Sequence, residues 1–376
     1  MRRHAPPPQV PRPRGEEGFT LIELLVSVVL MLLVTGAIFS IVDPSTSTSR
    51  AQPEATDLQQ RMRIGTDQIS KDLLMAGAGT YSGPTNGGLA NFFAPILPFR
   101  VGTLYPTEYA TRFFDDRITI AYVPNTAAQT KVKEQMPRPS AEVKAGPQPN
   151  CPVNDVLCGF RDGMRALIYD KTGTFNFFTI TQVQADSTGT PHLQHRPPTN
   201  PSDFAKAYDT DADISIVETH TYFRDPNTNQ LMHYTGDATP PEPVIDNVVG
   251  LRFQYFGDPL PPREPRPPTG TANCIYDAGG NLTMGSLAGS GSSLVELPED
   301  LIKQGQLCGS APNQFDADLY RVRKVRVTLR IQAPDMLRGT DAFLFQNPGI
   351  STSAYRMIPD YEMTFEISPR NMNLTR

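Results

Sequence analysis

From Phe19 to Val42 the chain runs for 24 residues with one charged side chain, Glu23. As a helix rising 1.5 Å per residue, this run spans roughly 36 Å, against a bilayer hydrocarbon core of about 30 Å. It predicts a transmembrane helix over residues 19–42. A cleaved secretory signal would carry a shorter apolar region. Ahead of it, residues 1–18 hold Arg2, Arg3, Arg12 and Arg14 together with five prolines, so they form no helix and join no core. The arginines place this leader in the cytoplasm and everything after Asp43 outside. Glu23 is the anomaly, because an ionised carboxylate in hydrocarbon costs a few kcal/mol and marks a function or a partner.

The string Gly18-Phe19-Thr20-Leu21-Ile22-Glu23, set between a basic leader and an unbroken apolar run, resembles the class III signal of type IV pilins and type II secretion pseudopilins. The resemblance implies that a prepilin peptidase cuts between Gly18 and Phe19 and methylates the new amino terminus of Phe19. It also implies that Glu23 meets the terminal ammonium of a neighbouring subunit when helices bundle in a filament, which is how a buried carboxylate is best tolerated. The leader departs from many in the family in placing Glu16 and Glu17 before the glycine. Cutting after Gly15 instead would leave Glu23 out of register. Losing the leader's four arginines and two glutamates takes the net charge from −5 to −7.

Pro44 and Pro53 bracket a Ser/Thr-rich stretch and predict a kinked or melted linker, so residues 43–80 are expected to hold that linker and an amphipathic helix. The helix is placed at about 54–75, with Leu58, Met62, Ile69 and Leu73 within about 60° of one another on one face and the glycines of "AGAG" closing it. "DLQQRMRIGTDQISKDLLMAGAG" is similar to the corresponding segment of PilW-type minor pilins and J-type pseudopilins, through Arg63, Asp72, Met75, Ala76 and Gly77.

Residues 81–376 are expected to form a β-rich extracytoplasmic head. Runs at 117–123, 164–170, 175–184, 214–225, 230–236, 248–256, 321–332 and 361–368 are rich in β-branched and aromatic residues, many alternating, and predict antiparallel sheets. Asp225 to Asn229 supply a hairpin turn. In the strand from Arg321, the "VRKV" step shifts phase and predicts a bulge. The strand order also resembles that of PilW-type proteins. Residues 124–163 and 257–316 interrupt it and are expected to be loop insertions, stapled by disulfides. Cys151, Cys158, Cys274 and Cys308 predict two disulfides in an exported chain, most simply 151 to 158 and 274 to 308, of the three connectivities that four cysteines permit. The expected fold class is α+β and type IV pilin-like, a long N-terminal helix, half transmembrane and half amphipathic, packed on an antiparallel β-sheet head.

No catalytic residue, metal site or cofactor is expected, and the chain is expected not to be an enzyme: it has no nucleophile elbow, phosphate-binding glycine loop or dinucleotide fingerprint. Asp209, Asp211 and Asp213 have the spacing of a calcium loop but lack its glycine and twelfth-position carboxylate. His192, His195, His220 and His233 lie off helices and are expected to be exposed. The acidic balance argues against nucleic acid as a partner. The resemblance implies a minor pilin that primes or caps a type IV pilus, first in the inner membrane and then in an extracellular filament. It also implies partners in prepilin peptidase, other minor pilins, the major pilin, the inner-membrane assembly platform and a tip adhesin. A J-type pseudopilin and a tip adhesion subunit are the alternatives.

Overall fold

The computed structural model describes residues 18–79, 89–101, 113–124, 128–148, 151–152, 155, 159–197, 199–200, 202–236, 240–287, 293–309, 313–334, 358 and 360–373, with backbone alone at 40–52. The chain divides into two units, residues 1–55 and 56–376. One helix, α1 (Leu21–Met75), begins in the first and ends in the second. Pro44 and Pro53 do not melt it. A proline costs its own N–H bond and crowds one carbonyl, about 3 kcal/mol, while the turns on either side keep their ladder.

In the second unit the predicted stripe of α1 is buried: Leu58 and Met62 are 2% exposed, Ile69 and Leu73 fully covered. Gly65 lies on the same side. A Cβ there would stand 2.9 Å from Ile245 Cδ1 and 3.2 Å from Leu329 Cδ2, so only a glycine allows this approach without movement. The helix ends at Met75, and Gly77, at φ 71°, turns the chain and donates its N–H to the Ala121 carbonyl.

Antiparallel sheets hold most of the remaining regular structure among the described residues. A five-stranded sheet has the order Ile96–Leu97, Arg117–Tyr122, Glu218–Asp225, Gln230–Tyr234, Glu242–Ile245. A four-stranded sheet has the order Val295–Leu297, Val248–Gly257, Val322–Ile331, Tyr361–Ile367. The predicted phase shift is present: Phe256 pairs with Lys324 and Gly257 with Val322, leaving Arg323 as the extra residue. The basic side chains of this strand are neutralised by its neighbours, Lys324 and Arg326 by Glu366 and Arg330 by Asp360.

The expected stapled loop at 124–163 is instead the start of a β lobe. The strands Arg117–Tyr122 and Glu218–Asp225 pair directly, Tyr122 opposite Glu218, yet the chain between them builds two further sheets. One joins Gln129–Lys131, Asp213–Ile216, Arg165–Tyr169 and Phe175–Thr179; the other joins Val143–Lys144, Pro191–Gln194 and Gln182–Ala185. Their apolar faces close a core of their own around Val132, Val143, Ile168, Phe178, Leu193 and Ile214. The predicted strand 214–225 is therefore divided at Val217, the first part serving the lobe and the second the five-stranded sheet. The second insertion, 257–316, also holds structure: the strand Val295–Leu297, a short helix Glu299–Gln304 and a two-stranded hairpin, tied by the disulfide Cys274–Cys308.

His195 belongs to the lobe core and corrects the expectation of exposure. It is 5% exposed, stacks on Phe204 at 3.9 Å and places Nε2 2.7 Å from the Ala141 carbonyl. Burial lowers its pKa from the ordinary 6.5, against the smaller opposing pulls of the Ala141 carbonyl and the Asp203 charge. A depressed folded pKa gives stability that is present above the unfolded value and lost as pH falls through the folded one. Urea midpoints should therefore drop between about pH 7.5 and pH 5, and less so in His195→Phe. An equal drop in both proteins refutes the role.

Candidate functional site

Two regions carry chemistry. At the amino-terminal region, Thr20 and Glu23 form a capping box at the start of α1. The Glu23 carboxylate accepts from the Thr20 backbone N–H at 2.9 Å and from its hydroxyl at 2.8 Å, and the Glu23 N–H donates to Thr20 Oγ1 at 3.4 Å. Glu23 thus has a local role besides the one implied by the resemblance, and the Thr-x-x-Glu spacing that signals it is visible in the sequence. Gly18 precedes the helix in open space, with nothing within 4 Å of where a Cβ would stand, and Phe19 is 90% exposed. The helix from Leu21 to Phe39 is long and apolar enough to cross a membrane, and none of it is buried by the chain itself. Its apolar side chains need a solvent other than water or neighbours of like kind.

The second region lies in residues 56–376. Strand residues two apart share a face, so Glu218, His220 and Tyr222 project together, and the register brings Tyr122 opposite Glu218 and His233 opposite Tyr222. Asp72, near the end of α1 between the buried Ile69 and Leu73, meets this face. Tyr222 donates its hydroxyl to Asp72 Oδ2. His220 Nδ1 stands 2.9 Å from His233 Nε2 and 3.4 Å from Asp72 Oδ2. On its far side, His220 Nε2 is 3.0 Å from the Tyr122 hydroxyl and 3.6 Å from Glu218 Oε2. The rings form a stack, Tyr122 on His220, His220 on His233 and His233 on Tyr222, at 4.9–5.3 Å between centroids. Burial, then the Asp72 charge, pushes the Tyr222 phenol well up, so it stays a donor. Glu218 is held below the usual carboxylate range by its hydrogen bond to His220.

His220 and His233 are thus half-buried and partnered, where the sequence predicted exposed strand histidines. His192 is also paired, Nδ1 lying 2.6 Å from Glu142 Oε1. The alternation rule placed them on strands but gave no sign that Asp72 would meet His220 and Tyr222. Asp72, a carboxylate bordering the apolar arc of an amphipathic helix, was the available signal. Asp209, Asp211 and Asp213 do not converge as a set of metal donors among the described residues. Cys274 and Cys308 are bonded as expected, no described cysteine is free, and Cys158, with the expected pairing to Cys151, lies outside the described residues.

The family model described as the prokaryotic N-terminal methylation motif matches residues 13–39. The match takes in the apolar helix from Leu21 to Phe39, and it supports a type IV pilin-like class III signal of the kind that prepilin-processed proteins carry. No curated protein and no solved structure matches the chain.

Proposed function

We propose that this chain is a minor pilin of the PilW type. Prepilin peptidase cuts it between Gly18 and Phe19, Phe19 is methylated, and the mature subunit co-assembles with other minor pilins to prime or cap a type IV pilus. The observation that carries this reading is the methylation motif at 13–39, whose own helical part, Leu21 to Phe39, keeps apolar side chains that the chain leaves uncovered. An assembled filament covers them with like helices. The burial of Leu58, Met62, Ile69 and Leu73 and the contacts at Gly65 support a pilin-like packing of the helix's second half on the antiparallel sheets. The protein acts by assembly and is not an enzyme; its head is extracytoplasmic. Shear fractions of pili test this: mature protein that never co-purifies with filaments, together with normal piliation after loss of the gene, overturns it. Co-purification with a secretion pseudopilus instead would favour the J-type reading.

Glu23 has two explanations that a pair of variants separates. Glu23→Gln keeps the capping-box acceptor and removes the charge; Glu23→Ala removes both. Loss of an ion pair with a neighbour's terminal ammonium predicts cleavage of both precursors and about tenfold lower incorporation of both, about 1.4 kcal/mol. Normal incorporation of Glu23→Gln would leave capping as the only role.

A further inference from the structure

We propose that Asp72, His220 and His233 bind one divalent transition-metal ion, zinc by donor chemistry, through Asp72 Oδ2, His220 Nδ1 and His233 Nε2. The three atoms come from three elements and lie within 4.8 Å of one another. For metal–ligand bonds of about 2.0–2.1 Å, neighbouring ligand atoms stand about 3.3–3.4 Å apart on a tetrahedron and about 2.9 Å apart on an octahedron. The two distances at His220 Nδ1, 3.4 Å to Asp72 and 2.9 Å to His233, lie within the range these edges span, as in a distorted shell. The donor set also selects the metal. Two imidazoles and one carboxylate suit zinc and its neighbours, whereas calcium and magnesium take oxygen.

The surroundings fix the ligands as a metal requires. Metal-binding histidines turn their second nitrogen to a carboxylate or another acceptor, which sets the tautomer. His220 does so with Nε2 facing the Tyr122 hydroxyl and the Glu218 carboxylate. With the proton on Nε2, the lone pair is on Nδ1, which faces a carboxylate oxygen of Asp72 and a ring nitrogen of His233. A single proton on His233 Nε2 serves only one of the facing acceptors; a cation serves all three. Tyr222 holds Asp72 by its hydroxyl, and His233 is clamped between the rings of His220 and Tyr222. The ion would join the last turns of α1 to the hairpin 218–234, holding together segments far apart in sequence. This site is independent of the assembly role proposed above.

The test uses the untagged full-length chain in detergent, stripped with chelator and dialysed. Zinc sulfate should bind at one ion per chain by elemental analysis and raise the melting temperature by at least about 3 °C at zinc 100-fold above its dissociation constant. Cobalt(II) should give visible d–d bands with no thiolate charge-transfer band. His220→Gln and His233→Gln should each lose the stoichiometric ion, while His192→Gln, in the lobe, should keep it. If either site variant fails to fold, cobalt spectra and zinc stoichiometry of the unmodified chain still decide. No bound ion and no melting shift at micromolar zinc, or undiminished binding in folded His220→Gln, overturns the proposal.

Discussion

Replacing Gly18 by leucine is expected to leave the precursor uncleaved, retaining the 18 leader residues, with processing slower by about 100-fold or more. The magnitude follows from pocket sterics. Each added methylene that a pocket built for a small residue must reject is worth about 1–3 kcal/mol, and leucine adds several. Folding does not confound the test, since Gly18 lies before the first turn of α1 and has open space around its Cα. The Thr20–Glu23 cap begins beyond it and stays intact. Gly15→Leu is the control. If cleavage follows Gly18, it should process normally, because only a cut after Gly18 leaves Glu23 in register. Immunoblots of membranes for precursor and mature lengths, with mass spectrometry of the mature amino terminus for methyl-Phe19, read the outcome. Normal processing of Gly18→Leu, or a block in Gly15→Leu, refutes the assigned site.

Arg321→Met should strongly destabilise the unit 56–376, by about 3–5 kcal/mol. Arg321 is 2% exposed and each nitrogen of its guanidinium donates a hydrogen bond. Nε donates to Asp318, Nη1 to the Pro259 carbonyl at 3.1 Å and Nη2 to the Gly285 carbonyl at 2.6 Å. Two of those acceptors belong to the 257–316 insertion, so this side chain holds that insertion to the start of the strand Val322–Ile331. The backbone is equally close: a Cβ at Gly257 would lie 2.5 Å from the Arg321 carbonyl oxygen. Methionine fills similar volume but strands the Asp318 carboxylate without its cation. The double variant Arg321→Met, Asp318→Leu removes the stranded charge and should recover a substantial part of the loss. Urea melts of the three proteins in detergent measure this. A cost below about 1 kcal/mol for the single variant, or no recovery in the double, would show that the pair contributes little.

How much of this was legible depends on the range of the interaction concerned. The buried stripe of α1, the turn at Gly77, the hairpin at Asp225–Asn229 and the bulge at Arg323 all follow from spacing within a few residues, and the structure has them where the spacing puts them. Melting at Pro44 and Pro53 did not occur, because local proline rules count one lost bond and not the length of ladder on either side. The lobe at 128–216 was hidden because its strands are short, and several pair only with strands far along the chain, such as Gln129–Lys131 with Asp213–Ile216. Arg321 looked like the first residue of a solvated basic strand. Its burial depends on carbonyls brought to it by a segment that departs from the sheet at Gly257.

The amino-terminal signal is the part the sequence determined unaided. Gly18, Phe19, the cap from Thr20 to Glu23 and the apolar run to Phe39 are contiguous, so their chemistry is set by neighbours in the chain. The cluster of Asp72, His220 and His233 was decided by tertiary structure alone. Its donors are separated by more than 140 residues of chain between helix and hairpin, and only contacts distant in sequence bring their ligand atoms within 4.8 Å of one another.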